Sequence, residues 1–360
     1  MPARTPSADA QLADAQFADA GIGILPVQDL RARAEGGEIT GAEAHLFQPA
    51  SLDLALGRRA FRLRASFLPG RGERVLDAAE SLALHEIDLG GGAVLETGCV
   101  YLVELRQGLA LGDDVAALFN PKSSTGRLDV FTRVIADGGT RFDAAPKGYT
   151  GPLWVEVAPR TFPVLAQEGD SLVQLRLRVG AHRRLRVETV SVDLSGGFGG
   201  GGGEGLIGYR ARRHSGLVDL RSVGGHAPGR FWDPLRASAA RDGALVLDPD
   251  EFYILASAES VVIPEGEAAE MAPVAPEIGE FRAHYAGFFD PGFGVGGAGS
   301  GARAVLEVRG RDVPFLLRHR QPVAKLVFEP MSAVPERLYG ARGSNYQGQG
   351  LKLGKHFAAE

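Results

Sequence analysis

From about residue 50 onward, apolar positions either alternate with polar ones at a period of two or run unbroken for four to eight residues between turn signals. Val94 to Leu105, Leu153 to Val157, Ser171 to Val179 and Arg183 to Val192 are rich in Val and Leu and bounded by Gly, Pro or Asp. Ala244 to Leu247, Phe252 to Leu255, Ala304 to Val308 and Pro322 to Phe328 repeat the pattern in the second half. Such runs predict strands. A helical period is clear only in "PVQDLRARAE", Pro26 to Glu35, where Val27, Leu30 and Ala34 fall three or four apart. The pattern predicts a mainly β protein with a short N-terminal helix, its strands closing into a sandwich or barrel.

The strand pattern occurs twice. "AVLETGCVYLVELRQGLALGDDVAALFNP" from Ala93 aligns with "LVLDPDEFYILASAESVVIPEGEAAEMAP" from Leu245, so that Tyr101 answers Tyr253 and Pro121 answers Pro273, both at an offset of 152. Further on, "LWVEV" with Glu156 answers "AVLEV" with Glu307 at an offset of 151. More weakly, "ASLDLALG" at Ala50 answers "GLVDLRSV" at Gly216. The chain therefore divides into a disordered N-terminal segment, 1–21, and two copies of one β-domain, 22–195 and 206–360. Between the copies, 196–205 reads as a glycine-rich linker.

Composition narrows the class. Glycine supplies 50 of 360 residues, about twice the usual share, yet without a Gly-x-y period, so it signals turns rather than collagen. A net charge of −5 carries no electrostatic footprint for nucleic acid. One cysteine, Cys99, excludes an intrachain disulfide framework and the multi-cysteine zinc cages, and the eight histidines form no metal-ligand motif. The Ala- and Asp-rich N-terminus is no signal peptide, and no run approaches the roughly 20 apolar residues of a spanning helix. A soluble, cytoplasmic protein without a metal site is the expectation.

Four features carry candidate chemistry. "NPKSSTGR", Asn120 to Arg127, sets Lys122, Ser123, Ser124, Thr125 and Arg127 beside a glycine. These donors suit phosphate oxygens, although the same run makes a polar turn or a helix cap. Glu156 and Glu307 each sit inside an apolar strand, where burial raises a carboxyl towards the range of a general base; on a half-buried strand they would merely face water. "AGFFDPGFG", Ala286 to Gly294, contains a strong turn signal whose small residues expose backbone groups able to read a base edge, with "GTRFDAAPKGYTG" from Gly139 as its degenerate counterpart. The tail "YGARGSNYQGQG", Tyr339 to Gly350, suits a segment that closes over a ligand, or a frayed terminus.

Taken together, "KSSTGR", "FDPGFG" with the glutamate strand after it, "FEPMS" and "SNYQGQG" resemble the dCTP deaminase family, of the same superfamily as trimeric dUTPases. The size and duplication look like its long bacterial form. The resemblance implies two tandem dUTPase-like domains, each a distorted jelly-roll or β-barrel. It implies metal-independent hydrolysis of dCTP to dUTP and ammonia, with Mg2+ only as a companion of the triphosphate. Glu307 or Glu156 would act as the base. Ser123, Ser124 and Arg127, with Lys122, would meet the phosphates and help place the water. Ala286, Gly287 and Asp290 would form the base loop, and Tyr339, Tyr346 and Gln349 the closing tail. Family sites lie between neighbouring subunits, so a homo-oligomer with sites at domain interfaces is implied.

Each copy departs from the family pattern in a complementary way. The second has "VAPEIG", Val274 to Gly279, in place of "KSSTGR", whereas the first lacks the clean Asp-Pro-Gly loop and the tail. A composite site is the consequence: Ser123, Ser124 and Arg127 from one copy, Ala286, Glu307 and the tail from the other. By the resemblance, Asn345 stands where many relatives have lysine, a difference that bears on one phosphate contact. Two other readings stay open, a dUTP pyrophosphatase or bifunctional enzyme, and a non-catalytic nucleotide-binding regulator.

Overall fold

The computed structural model describes residues 21–197, 205–240, 242–274, 281–284, 287–295, 301–341 and 343–359. The disordered segment expected at the N-terminus, the centre of the expected linker, "VAPEIG" after Val274, and Ala286 lie outside them.

The first unit contains β1 (Gly23–Ile24), helix α1 (Val27–Glu35), β2 (Leu52–Leu63), helix α2 (Val75–Glu80), β3 (Ala93–Leu95), β4 (Val100–Ala110), β5 (Val115–Pro121), the single-turn α3 (Ser123–Gly126), β6 (Val130–Ala136), β7 (Ala144–Ala145), β8 (Thr150–Pro159), β9 (Val164–Ala166) and β10 (Ser171–Val179). Its main sheet runs β6-β8-β4-β2-β10-β5-β7. The sheet curls until its ends meet, where the Asp143 N–H donates to the Val134 carbonyl at 2.9 Å. Closure of this kind removes exposed sheet edges. Helix α1 forms where the 3.6 period predicted it and buries Val27 and Leu30. The short α2 was not foreseen, because six residues carry too little periodicity.

The second unit contains β11 (Arg186–Ser191), β12 (Leu206–Ala211), β13 (Val218–Asp219), β14 (Ala244–Leu247), β15 (Phe252–Val261), β16 (Glu267–Pro273), β17 (Phe281–His284), β18 (Phe288–Phe289), β19 (Ala302–Gly310), β20 (Phe315–Arg318) and β21 (Pro322–Pro330). Its pairing repeats the first. Strand β8 lies between β4 and β6, and β19 between β15 and β17. Likewise β10 pairs β1 and β5, and β21 pairs β11 and β16. The tyrosine marks also do the same work: Tyr101 Oη accepts from the Glu96 N–H, and Tyr253 Oη from the Asp248 N–H, each at 2.9 Å.

Two expectations are corrected by these pairings. Strand β11, counted with the first copy, lies along β21 from Arg186↔Phe328 to Ser191↔Pro322. It is the counterpart of β1, so the second unit begins near 186 and the glycine-rich run falls inside that unit, after its first strand. A glycine run marks flexibility, but only long-range pairing shows which sheet a strand joins. The second correction concerns "GLVDLRSV": the counterpart of β2 is β12, which pairs β15, whereas Val218–Asp219 runs parallel to β9 of the first unit.

The units share their interior. Phe231, Trp232, Phe252, Ile254, Val305 and Phe357 are buried in the same apolar cluster as Phe162 and the barrel strands of the first unit. Phe357 packs edge-on against Phe162, Phe231 and Trp232 with centroids 5.4–6.4 Å apart, a favourable aromatic geometry. This anchors the C-terminal tail, so the segment is docked rather than frayed.

Candidate functional site

A cavity of about 400 Å³ opens between the units. Its floor comes from both. Lys122, Ser123, Ser124 and Arg127 arrive from the β5–α3 corner of the first unit, and Gly287, Asp290, Val305 and Glu307 from β18, β19 and the loops of the second. Tyr339, Asn345, Tyr346 and Gln349 of the tail complete the wall. The structure thus gathers Lys122, Ser123, Ser124, Arg127, Gly287, Asp290, Glu307, Tyr339, Tyr346 and Gln349 at one place.

Sequence explains the corner locally. Lys122 is extended, and the Gly126 N–H bonds the Lys122 carbonyl to close a single turn that presents both serines. Gly287 packs opposite: a Cβ there would sit 3.2 Å from Ser123 Oγ, so a side chain would push on the hydroxyl. Glycine at 287 therefore lets the base loop approach the serine corner.

Arg127 is almost fully buried and fans across the interface. It donates to the Lys352 carbonyl at 3.0 Å and to Gln349 Oε1 at 2.9 Å, and its guanidinium lies 3.9 Å from the Tyr346 ring centroid. Its Nε, with no hydrogen bond, is 3.8 Å from Glu307 Oε1. Glu307 is 4 % exposed and lies on β19 opposite Ile254. Burial pushes it up to about 8, only partly offset by the Arg127 charge. The site holds a carboxyl group that titrates near neutrality beside one cation, the electrostatic requirement of a general base.

Asp290 lines the cavity with both oxygens engaged. Oδ1 accepts from Arg176 at 2.9 Å and Oδ2 from the Ser51 hydroxyl at 3.3 Å. Arg176 also donates to the Ala269 and Phe289 carbonyls. The pair braces the base loop against β10. Arg176→Met is expected to leave this carboxylate buried without its cation and to cost about 3–5 kcal/mol in urea unfolding.

Glu156 lies elsewhere. It faces away from the cavity, on β8 beneath Ser66 and Phe67, and is equally buried. Burial raises its carboxyl too, against hydrogen bonds from Ser66 and Phe67 and the charge of Arg133. The degenerate loop of the first unit is likewise structural: Asp143 accepts from the Val134 N–H at 2.8 Å and from Arg133 at 3.0 Å, closing the barrel.

Sequence reasoning missed Asp53, Gln174 and Lys355, all of which line the cavity. Asp53 binds the Lys122 ammonium and sits in "SLDLAL", and Gln174 in "LVQLRL". A polar residue within an apolar strand, the signal used for the two glutamates, could have found both.

Fold and cavity define a duplicated dUTPase-like β protein whose two halves jointly wall a polar pocket. The chain belongs to the dCTP deaminase family: the family's N-terminal domain, 2'-deoxycytidine 5'-triphosphate deaminase (DCD), matches residues 21–181 and its C-terminal domain 186–357. The crystal structure of 2'-deoxycytidine 5'-triphosphate deaminase from Agrobacterium tumefaciens is 49 % identical and superposes with a TM-score of 0.81, covering 86 % of this chain and 99 % of that one. Among curated relatives, a dCTP deaminase, dUMP-forming, of Beutenbergia cavernae is 33 % identical over 155 residues, 42 % of this chain and 77 % of that protein. Its namesake in Methanothermobacter thermautotrophicus is 33 % identical over 113 residues, 30 % of this chain and 54 % of that protein, so the match spans about half of it.

Proposed function

We infer that this protein is a dCTP deaminase that hydrolyses the cytosine amine of dCTP to give dUTP and ammonia. The observation that carries the reading is Glu307: a buried carboxyl near neutrality, in one cavity with the serine corner, Arg127 and a glycine-walled loop. Deamination by water needs a group that takes a proton and returns it. Ionised Glu307 removes a proton from water as the oxygen adds to C4 of the cytosine, and passes that proton to ring N3. The hydroxyl proton then goes by the same carboxyl to the exocyclic nitrogen, the C–N bond breaks, and ammonia leaves. Ser123, Ser124 and Lys122 receive the phosphates, the backbone beside Gly287 reads the base, and Arg127 keeps Glu307 ionised in part.

Among the described residues no three His, Cys, Asp or Glu gather as metal ligands, and no step is routed through a protein-held ion. Magnesium would arrive on the triphosphate. No helix of the described residues is long and apolar enough to cross a membrane. We place the enzyme in the cytoplasm with the deoxynucleotide pool, as a homo-oligomer with its sites at unit interfaces.

The decisive assay incubates the protein with dCTP and follows ammonia, dUTP, dUMP and pyrophosphate, with and without chelator. Stoichiometric ammonia supports the reading, and binding of dCTP without ammonia overturns it in favour of a regulator. Both curated relatives are named dUMP-forming, which favours a second reading, onward hydrolysis to dUMP. Pyrophosphate formed together with ammonia would establish it. Glu156→Gln is expected to leave kcat within about twofold, since the residue faces a different part of the fold.

A further inference from the structure

A second cavity of about 290 Å³ adjoins the first and shares with it His45, Asp53, Lys122, Ser124 and Lys355. The cations around the first cavity are unequally occupied. Lys122 pairs with Asp53, Arg127 is spread over Glu307, Gln349 and tail carbonyls, and Arg337 donates to the Phe47 carbonyl. Asn345 adds no charge. Among the described cations lining that cavity, Lys355 alone donates no hydrogen bond and makes no ion pair through its ammonium.

Its backbone, by contrast, is held at both ends. The Lys355 N–H donates to Tyr346 Oη at 3.2 Å, and its carbonyl accepts from the Gly224 N–H at 2.9 Å. The residue before it, Gly354, packs 3.5 Å from Arg127 Cβ by the position of its missing side chain. The pinned backbone roots an unengaged ammonium at the junction of two polar cavities, where an anion would give it a charge-assisted partner.

Resting on the deaminase reading, we propose that Lys355, across from Lys122 and Ser124, binds the terminal phosphate of the substrate and makes the enzyme selective for triphosphates. Burial and the nearby Lys122 charge hold the Lys355 ammonium below its ordinary value, so an arriving phosphate relieves a repulsion between the two lysines as well as adding a charge-assisted hydrogen bond.

The test compares Lys355→Ala and Lys355→Arg with the parent, using dCTP and dCMP in ammonia-release kinetics and inorganic tripolyphosphate in calorimetry. Lys355→Ala is expected to raise KM for dCTP about tenfold or more while kcat changes less than about twofold, to narrow the preference for dCTP over dCMP, and to weaken tripolyphosphate equally. Lys355→Arg should restore most of both. Unchanged KM and tripolyphosphate affinity in Lys355→Ala would overturn the assignment. A fall in kcat with a lowered Tm would also overturn it, as the mark of a merely structural lysine. The calorimetric arm needs no chemistry, so a parent protein that binds tripolyphosphate through Lys355 yet releases no ammonia would defeat the deaminase reading and leave the phosphate subsite standing.

Discussion

Glu307→Gln is expected to lower kcat for dCTP by about 10³-fold or more, with dCTP affinity changed by less than about threefold. The glutamine keeps the shape and a hydrogen-bonding oxygen but cannot take a proton. Rapid-quench or ammonia-release kinetics together with calorimetric titration of dCTP would measure the two quantities separately. Because the Glu307 carboxyl titrates near 8 in the empty site, kcat/KM of the parent should fall as pH drops from 9 to 6, when the base becomes protonated. Stability runs the other way. The fold holds on Glu307 a proton that the unfolded chain, at the ordinary value of 4.5, has released. That contribution is complete below pH 4.5 and is lost as pH rises through 8. Glu307→Gln should therefore gain in Tm relative to the parent between pH 5 and pH 9, by about 2–5 °C, in differential scanning calorimetry. A fully active glutamine variant, paired with an inactive Glu156→Gln, would move the chemistry to the first unit and overturn the composite site.

Arg127→Lys is expected to be nearly as damaging as Arg127→Ala, with kcat/KM down about 10²–10³-fold in both. A lysine keeps the charge but is a point donor, whereas Arg127 divides a planar fork between Gln349 Oε1 and the Lys352 carbonyl and stacks on Tyr346 at 3.9 Å. Those bonds hold the tail shut over the cavity. Either variant should release the tail, which limited proteolysis after residue 340 would report as faster cleavage than in the parent. Retention of parental kcat/KM by the lysine variant would reduce Arg127 to a charge that steadies Glu307.

Much of this was legible along the chain. The period of two located most long strands, and the marks at Tyr101 and Tyr253 exposed a duplication that most of the sheet pairings repeat. The serine corner announced itself because six consecutive residues supply all its donors. What the sequence does not carry is the bracing of Asp290 by Arg176 and Ser51, 114 and 239 residues away along the chain. Lys355 gave no signal, since a lysine near a C-terminus is ordinarily solvated.

What the amino-acid sequence determined by itself was therefore everything set over short distances: element type, the repeat, the chemistry within each motif, and the complementary losses that motivate a composite site. Tertiary structure alone sets Glu307 apart from Glu156, by lining the cavity with one and not the other. Both occupy the same place in the same strand of their unit, and both are buried. Only the packing of one unit on the other places Arg127 beside Glu307 while Ser66 and Phe67 cover Glu156, because burial and charge are properties of the surroundings that long-range contacts assemble.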